Sequence, residues 1–384
     1  MWALKLSRPF MECHTRHLKP NLLANGYGLW AREGGMRSFQ GVASLQGKNF
    51  MNIDELTDVE LRDLLSLSAQ LKKAYSSPSP PVLPRPCEGK SVSMIFQKRS
   101  TRTRVSTETG MALLGGHALF LGPQDVQLGV NESMRDTANV LSRFNSLILA
   151  RVFAHTDVQL LAKHSSVPVI NALSDLYHPL QALADLLTLE EHFGKGSLQG
   201  KVLTWVGDGN NVLHDLAMGA ARLGMHVRVA CPVGYEPNGE IMHRVEWHAQ
   251  RSGGSYVMER DPMTAVAGAH VIVTDTWVSM GQEEEYERRM RDFEGFQVTR
   301  RMMEHGAKGS NAGRPACVFL HCLPRHPEEV TDEVFYDPAR SLVFPEAENR
   351  MWTVMAVMLS LVGGGGRGCE VGESHNGGGG RRSS

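Results

Sequence analysis

The sequence predicts an α/β protein of two doubly wound parallel-sheet domains, with the active site in the cleft between them. Short apolar strands alternate with helices in the order that parallel sheets require. The alternation pauses at Gly194–Gly200 and then restarts. Polar clusters recur directly after strands, where ligands gather in such sheets. A length of 384 residues accommodates two or three compact domains.

The elements follow in order. Thr57 and Glu60 form a capping-box pattern, and Leu61, Leu64, Leu65 and Leu71 recur near helical spacing, so a helix runs to about Tyr75. Five prolines between Ser76 and Gly89 make a stiff connection. The first block then reads as strand Ser91–Phe96, a helix from about Arg102 to Gly115-Gly116, and strand His117–Leu121. Helix Glu132–Phe144, strand Ser146–Arg151, helix Val158–His164, strand Val167–Asn171 and helix Pro179–Phe193 complete it. Pro179 suits a first helical position. The second block reads as strand Lys201–Gly207, helix Asn211–Leu223, strand Val227–Ala230, helix Ile241–Arg251, strand Val271–Asp275 and strand Val318–Leu320. A last helix starts near Phe344. The run Glu283–Arg291 reads as a solvated helix.

Composition excludes several classes. Forty basic residues balance 41 acidic ones, against the basic surplus of a nucleic-acid binder. The apolar stretch Met351–Val362 is short of the roughly 20 residues that span a bilayer. Six scattered cysteines form no C-x-x-C pair, so neither a disulfide framework nor a cysteine-rich zinc site is expected. Residues 1–40 carry six basic residues against two acids, and 1–36 read as a mitochondrial transit segment. Residues 363–384 contain ten glycines and read as a disordered tail.

Five loops after strands carry the chemistry. Ser100-Thr101-Arg102-Thr103-Arg104 joins hydroxyls and guanidinium groups to a helix start, which is an anion cradle suited to phosphate. His178 and Gln181 lie three apart across a first helical turn, and both can donate to a carbonyl oxygen. Arg151 adds a donor at the same sheet edge. Gly207-Asp208-Gly209-Asn210-Asn211 only partly matches a dinucleotide fingerprint. Val212 stands where a third glycine belongs, and Ala230-Cys231-Pro232 lacks the ribose-holding acid. Asp275, opening the loop Asp275–Gln282, can grip an ammonium group. Cys322 in His321-Cys322-Leu323-Pro324 is either a substrate contact or an inert buried thiol.

These motifs, in this order and with Glu348-Asn349-Arg350 following, resemble ornithine carbamoyltransferases of the animal mitochondrial type, within the aspartate/ornithine carbamoyltransferase family. The resemblance covers Lys48 to Val362. It implies carbamoyl transfer from carbamoyl phosphate to the side-chain amine of L-ornithine, giving L-citrulline and phosphate, in the mitochondrial matrix and without metal or organic cofactor. Ser100, Thr101, Arg102 and Thr103 would hold phosphate. Arg151, His178 and Gln181 would polarise the carbamoyl carbonyl. Asn211, Asp275, Ser279 and Met280 would position ornithine, and Cys322 and Leu323 would complete the site. The thiol would accept the proton or order the amine together with Asp275. Arg350 would add positive charge.

The family pattern also implies a homotrimer with shared sites, in which Gln127 reaches the neighbour's phosphate. Gln127 departs from the animal pattern, which has His there, and the stretch Glu304–Pro315 is longer than that pattern. The expected division is a carbamoyl phosphate domain over 37–182 joined by helix 346–362, an ornithine domain over 183–345, and the tail. Aspartate or modified-ornithine carbamoyl transfer and a catalytically silent binding subunit are the alternatives. The intact donor set opposes the silent subunit.

Overall fold

The computed structural model describes residues 31–33, 36–76, 85–125, 132–278, 283–306 and 317–363. The expected transit segment, proline-rich connection, lengthened 304–315 stretch and glycine-rich tail fall mostly outside these. Strands β1 (Ala31–Glu33) and β2 (Met36–Ser38) pair antiparallel. Helix α1 (Asp58–Tyr75) starts with the expected capping box: the Glu60 amide donates to Thr57 Oγ1 at 3.2 Å, and the Thr57 amide to Glu60 Oε2 at 2.8 Å.

The first main sheet contains β3 (Ser91–Phe96), β4 (His117–Leu121), β5 (Leu147–Arg151) and β6 (Val169–Leu173), ordered β4-β3-β5-β6 and parallel throughout. Its crossovers are α2 (Thr101–Leu113), α3 (Met134–Phe144) and α4 (His155–His164). Helix α5 (Pro179–Phe193) leads to the second sheet. There β7 (Val202–Val206), β8 (His226–Ala230), β9 (Ser255–Glu259), β10 (Val271–Thr274) and β11 (Val318–His321) lie in the order β11-β10-β7-β8-β9, again all parallel. Helices α6 (Asn211–Arg222), α7 (Gly239–Ser252) and α8 (Pro262–Ala265) connect the first of these strands. Helices α9 (Tyr286–Asp292) and α10 (Arg300–Gly306) precede β11, and α11 (Asp332–Phe335) and α12 (Val343–Val362) follow it. Strand order reverses between β3 and β5 and between β7 and β10, and a crevice opens outside the carboxyl ends at such points.

Several expectations need correction. The strand expected over 167–171 runs Val169–Leu173, because Pro168 has no N–H to give the ladder. Strand β9 escaped detection: it is an edge strand none of whose residues is fully buried, with an apolar run of only three residues, Tyr256-Val257-Met258. The run read as a solvated helix is a 3-10 turn followed by α9, and its Arg289 is buried. The boundary expected at residue 182 cuts the continuous helix α5.

Helix α12 is the clearest link between the two halves. Every residue from Trp352 to Leu361 is buried, too apolar all round for a surface helix. It packs on α1, α2 and α5. Gly41 is required beneath it, since a Cβ there would lie 2.5 Å from Ser360 Cα. One continuous apolar cluster joins α12 and α1 to Leu203, Trp205 and Val271 of the second sheet. Among the described residues no helix is long and apolar enough to cross a membrane.

Candidate active site

The two reversal points face one cleft of about 700 Å³. On the first side, Ser100 takes the extended N-cap conformation (φ −162°), and its Oγ accepts the Thr103 amide at 3.3 Å. The N–H groups of Thr101 and Arg102 at the start of α2 thus point where the helix dipole favours negative charge. Ser100, Thr101, Arg102 and Thr103 all line the cleft. Arg104 does not: it sits over the Phe120 ring, 3.8 Å from its centroid, and pairs with Glu108.

Three arginines from distant segments converge beside this helix start. Arg151 ends β5 at a register shift, Arg350 rises from α12, and Arg102 comes from α2 itself. Burial, then Arg350 and Arg102, push the Arg151 guanidinium down to about 10. Burial, then Arg102, do the same to Arg350. At neutral pH all three are charged, so the pocket gains from any anion that enters. Arg350 donates to Gln181 Oε1 at 2.5 Å and to Thr103 Oγ1 at 3.0 Å, and Arg151 Nε has no partner. Lys98 also lines the cleft, and burial, then Arg151, lower its ammonium.

His178 caps α5 ahead of Pro179 and is buried, with Nδ1 unpartnered. Burial, then the three arginines, hold it well below the usual imidazole range, so it is neutral. Gln181 differs from expectation. Its Nε2 donates to Asp185 Oδ1 and to Glu346 Oε1, each at 2.7 Å. Both amide hydrogens are occupied, so Gln181 offers the cleft an acceptor and not a donor.

The opposite wall comes from the second sheet. Asp275 follows β10 and Cys322 follows β11. The Cys322 thiol donates to Asp275 Oδ1 at 3.0 Å, and Asn210 Nδ2 donates to Oδ2 at 2.8 Å. Burial, then the Asp275 carboxylate, push the thiol well above its usual range, so it carries its proton. Asn210 also caps α6, accepting from Val212 and Leu213. Gly209 allows that loop to close, since a Cβ would lie 2.2 Å from Pro237 N. Asn211 lines the cleft and donates to Ser174 O at 2.5 Å. Leu323 adopts φ 62°, and its carbonyl accepts Arg102 Nη2 at 2.5 Å, a direct tie across the cleft. Buried Arg289 holds the base of the loop after β10, donating to Trp277 O and Asp208 Oδ2, both at 2.9 Å.

Ser100, Thr101, Arg102, Thr103, Arg151, His178, Gln181, Asn211, Asp275, Cys322, Leu323 and Arg350 therefore share one cleft. Gln127, Ser279 and Met280 lie outside the described residues. The reading of the sequence missed Asn210, Asp185, Glu346, Thr276 and His326. Helical spacing could have found two of these, because Gln181–Asp185 and Glu346–Arg350 are i,i+4 pairs. His326 Nδ1 meets Thr276 Oγ1 at 3.1 Å.

Among the described residues, two groups bring metal-ligand atoms within 4.8 Å of one another: Asp275, His321 and Cys322, and His326, Glu328 and Glu329. In the first, every member already has a protein partner: Cys322 on Asp275, the Leu323 amide on His321 Nδ1, and His321 Nε2 on Glu329.

Comparison with known proteins bears on the same residues. Residues 48–191 match the family model described as aspartate/ornithine carbamoyltransferase, carbamoyl-P binding domain. Residues 199–361 match its Asp/Orn binding domain. The mitochondrial ornithine transcarbamylase of Gallus gallus is 52% identical over 318 residues, 83% of this chain and 86% of that protein. The mitochondrial ornithine carbamoyltransferase of Aquarana catesbeiana is 50% identical over 325 residues, 84% of this chain and 89% of that one. Among solved structures, ornithine carbamoyltransferase from Pyrococcus furiosus superposes with a TM-score of 0.77 at 45% identity, covering 83% of this chain and 98% of its own. The mitochondrial enzyme from Coccidioides immitis gives 0.74 at 46% identity, covering 82% and 96%.

Proposed function

The chain belongs to the aspartate/ornithine carbamoyltransferase family, and from that premise we infer that it transfers the carbamoyl group of carbamoyl phosphate to the side-chain amine of L-ornithine. One observation carries the reading: three arginines at a helix start face a thiol–carboxylate pair across a single cleft. The first end suits a phosphate. The second, with the Asp275 side chain accepting from a protonated Cys322, suits an amine. In aspartate the attacking amine sits directly beside a carboxylate, which would meet the like charge of Asp275, whereas the side-chain amine of ornithine is held away from its carboxylate by methylene groups, so the aspartate alternative is not favoured.

The amine nitrogen attacks the carbonyl carbon, the bond from that carbon to the phosphate oxygen breaks, and citrulline and phosphate leave. Ser100, Thr101, Arg102, Thr103 and Arg350 hold the phosphate. Arg151 and neutral His178 donate to the carbonyl oxygen as negative charge develops on it. Gln181 accepts from the carbamoyl N–H. Asp275, oriented by Cys322, takes the amine's proton, while Asn211, Ser279, Met280 and Leu323 place ornithine. The thiol orders the amine and does not itself accept the proton, because burial keeps it protonated.

The carbamoyl phosphate unit comprises residues 37–193 with α12, and the ornithine unit the residues between α5 and α12. The near relatives are mitochondrial proteins, and the basic first residues agree with that location, in the matrix. A homotrimer, with Gln127 of one copy reaching the next copy's phosphate, follows the family pattern. The test is an amino-acceptor panel with carbamoyl phosphate as donor and no added metal. Citrulline forms with ornithine, and turnover with aspartate but none with ornithine would overturn the reading.

A further inference from the structure

The loop that carries His178 is held from the opposite half of the molecule. Residues Ser174–His178 join β6 to α5, and two of their carbonyls meet side chains of α6. Asn211 donates to Ser174 O, and about one turn further along the helix His214 Nδ1 lies 2.8 Å from Leu176 O. The two positions are three apart, so both side chains leave one face of α6. Asn211 also lines the cleft, where it is assigned to ornithine. His214 does not line it, is 4% exposed, and has no part in the reaction as assigned.

Both ring nitrogens of His214 have a fixed role. The backbone amide of Asn238 approaches Nε2 at 3.0 Å, and an amide N–H only donates, so Nε2 carries no proton. A carbonyl only accepts, so Nδ1 carries the proton and donates to Leu176 O. The ring is therefore neutral, and it cannot take a second proton without losing Asn238. Burial, with Arg244 acting the same way and the Leu176 carbonyl opposing, holds it below the usual imidazole range. Asn238 is itself anchored: its side chain caps α7, accepting from the Glu240 and Ile241 amides, and the Pro237 backbone before it lies against Gly209. The imidazole is thus a rigid strut from the cap of α7 to the loop after β6. The Tyr177 ring stands edge-on beside it, 6.5 Å between centroids.

We infer that His214 is a positioning residue: its neutral ring, anchored by the Asn238 amide, fixes the Ser174–His178 loop through Leu176 O and so aims His178 at the carbonyl of the acyl phosphate. This rests on the carbamoyl phosphate reading of the cleft. Asn211 alone does not secure the loop, since ornithine draws on the same amide. Nothing in the cleft competes for His214. A donor displaced by about 1 Å from developing charge costs up to about 10²-fold in rate.

Two amides divide the contacts of the ring. An asparagine places its NH₂ near the Nδ1 position and stops short of Asn238. A glutamine reaches the Nε2 position and leaves Leu176 O. Each loses one buried hydrogen bond, so melting temperatures of the full-length variants should fall alike, by a few degrees. Activity should not follow stability. With carbamoyl phosphate and ornithine, His214→Asn should keep kcat within about threefold of wild type. His214→Gln should lower kcat at least about tenfold, with KM for carbamoyl phosphate within about threefold. In calorimetry, His214→Gln should bind phosphonoacetamide, a stable mimic with the same carbonyl, at least about threefold more weakly, and inorganic phosphate within about twofold of wild type. Should the longer glutamine not fold, His214→Ala takes its place with the same expected changes in kcat and binding.

The inference is overturned if His214→Gln keeps kcat, if the two amide variants lose kcat equally, or if phosphonoacetamide and phosphate weaken in parallel, as a merely structural role would give. A wild type that binds phosphate but gains nothing from the carbonyl of phosphonoacetamide overturns it together with the carbamoyl phosphate reading. A wild type that binds phosphonoacetamide but makes no citrulline sinks the ornithine assignment alone, and the ratio of the two affinities still decides the part His214 plays.

Discussion

The two walls of the cleft are built in opposite ways. The cradle at the start of α2 is local: four consecutive residues, Ser100 to Thr103, supply hydroxyls, a guanidinium and helix N–H groups, and the Ser100 cap sets their geometry. The thiol–carboxylate wall is assembled. Cys322 touches Asp275, 47 residues away, and Asp275 is held by Asn210, 65 residues away. The cradle's backbone is set by its own cap, and it binds through charge that Arg151 and Arg350 bring to it from β5 and α12. An assembled wall depends on the strands and helices that bring its parts together, and it acts through the protonation state that burial imposes.

Removing charge from the cradle should have the largest effect. Arg102→Ala deletes one of three converging guanidiniums together with its link to Leu323 O. Steady-state kinetics should show kcat/KM for carbamoyl phosphate lower by about 10²–10³, while circular dichroism reports an intact fold. Unchanged carbamoyl phosphate kinetics would remove the cradle assignment. Cys322 probes the other wall more finely. Because its thiol is protonated and donates to Asp275, a hydroxyl can replace it. Cys322→Ser should keep kcat within about tenfold, and Cys322→Ala should lose about 10²-fold. A serine variant as inactive as the alanine one would restore the thiol as proton acceptor and break the contrast between the walls.

The same contrast explains what could be read from the chain. The cradle was legible because its parts are contiguous and follow a strand of unambiguous apolar character. Most helices and strands were legible for the same reason, with ends displaced by a few residues where a proline or a cap intervened, as at Pro168 and Ser133. Arg289 was misread because a run of charges looks solvated until Asp208 and Trp277 O are known to lie beside it. Asp185 and Glu346 were passed over although each lies i,i+4 from a site residue, because nothing local signals that α5 and α12 press two acids together. Their i,i+4 partners Gln181 and Arg350 were found only through motifs. Edge strand β9 has an apolar run of only three residues between Ser255 and Glu259, so periodicity passed over it.

The smallest expected effect tests the support beneath the assembled wall. Asp215 lies in α6, whose cap Asn210 holds Asp275, and its Oδ1 accepts the Ile53 amide at 2.8 Å across the seam between the two halves. Burial raises its carboxyl to about 8. The folded state therefore keeps a proton that the unfolded chain has released above the ordinary carboxylate range, so this group's contribution to stability falls as pH rises toward 8 and levels off beyond. Asp215→Asn has no such titration and preserves the Oδ1 acceptor. Melting temperatures of wild type and variant should separate between pH 6 and 9, the wild type losing more, by a few degrees or more. Phosphonoacetamide affinity should hardly change at pH 7, because the cradle takes no support from α6. A separation independent of pH would mean that Asp215 is ionised throughout, and the seam would then be held by an ion that the buried environment ought to refuse.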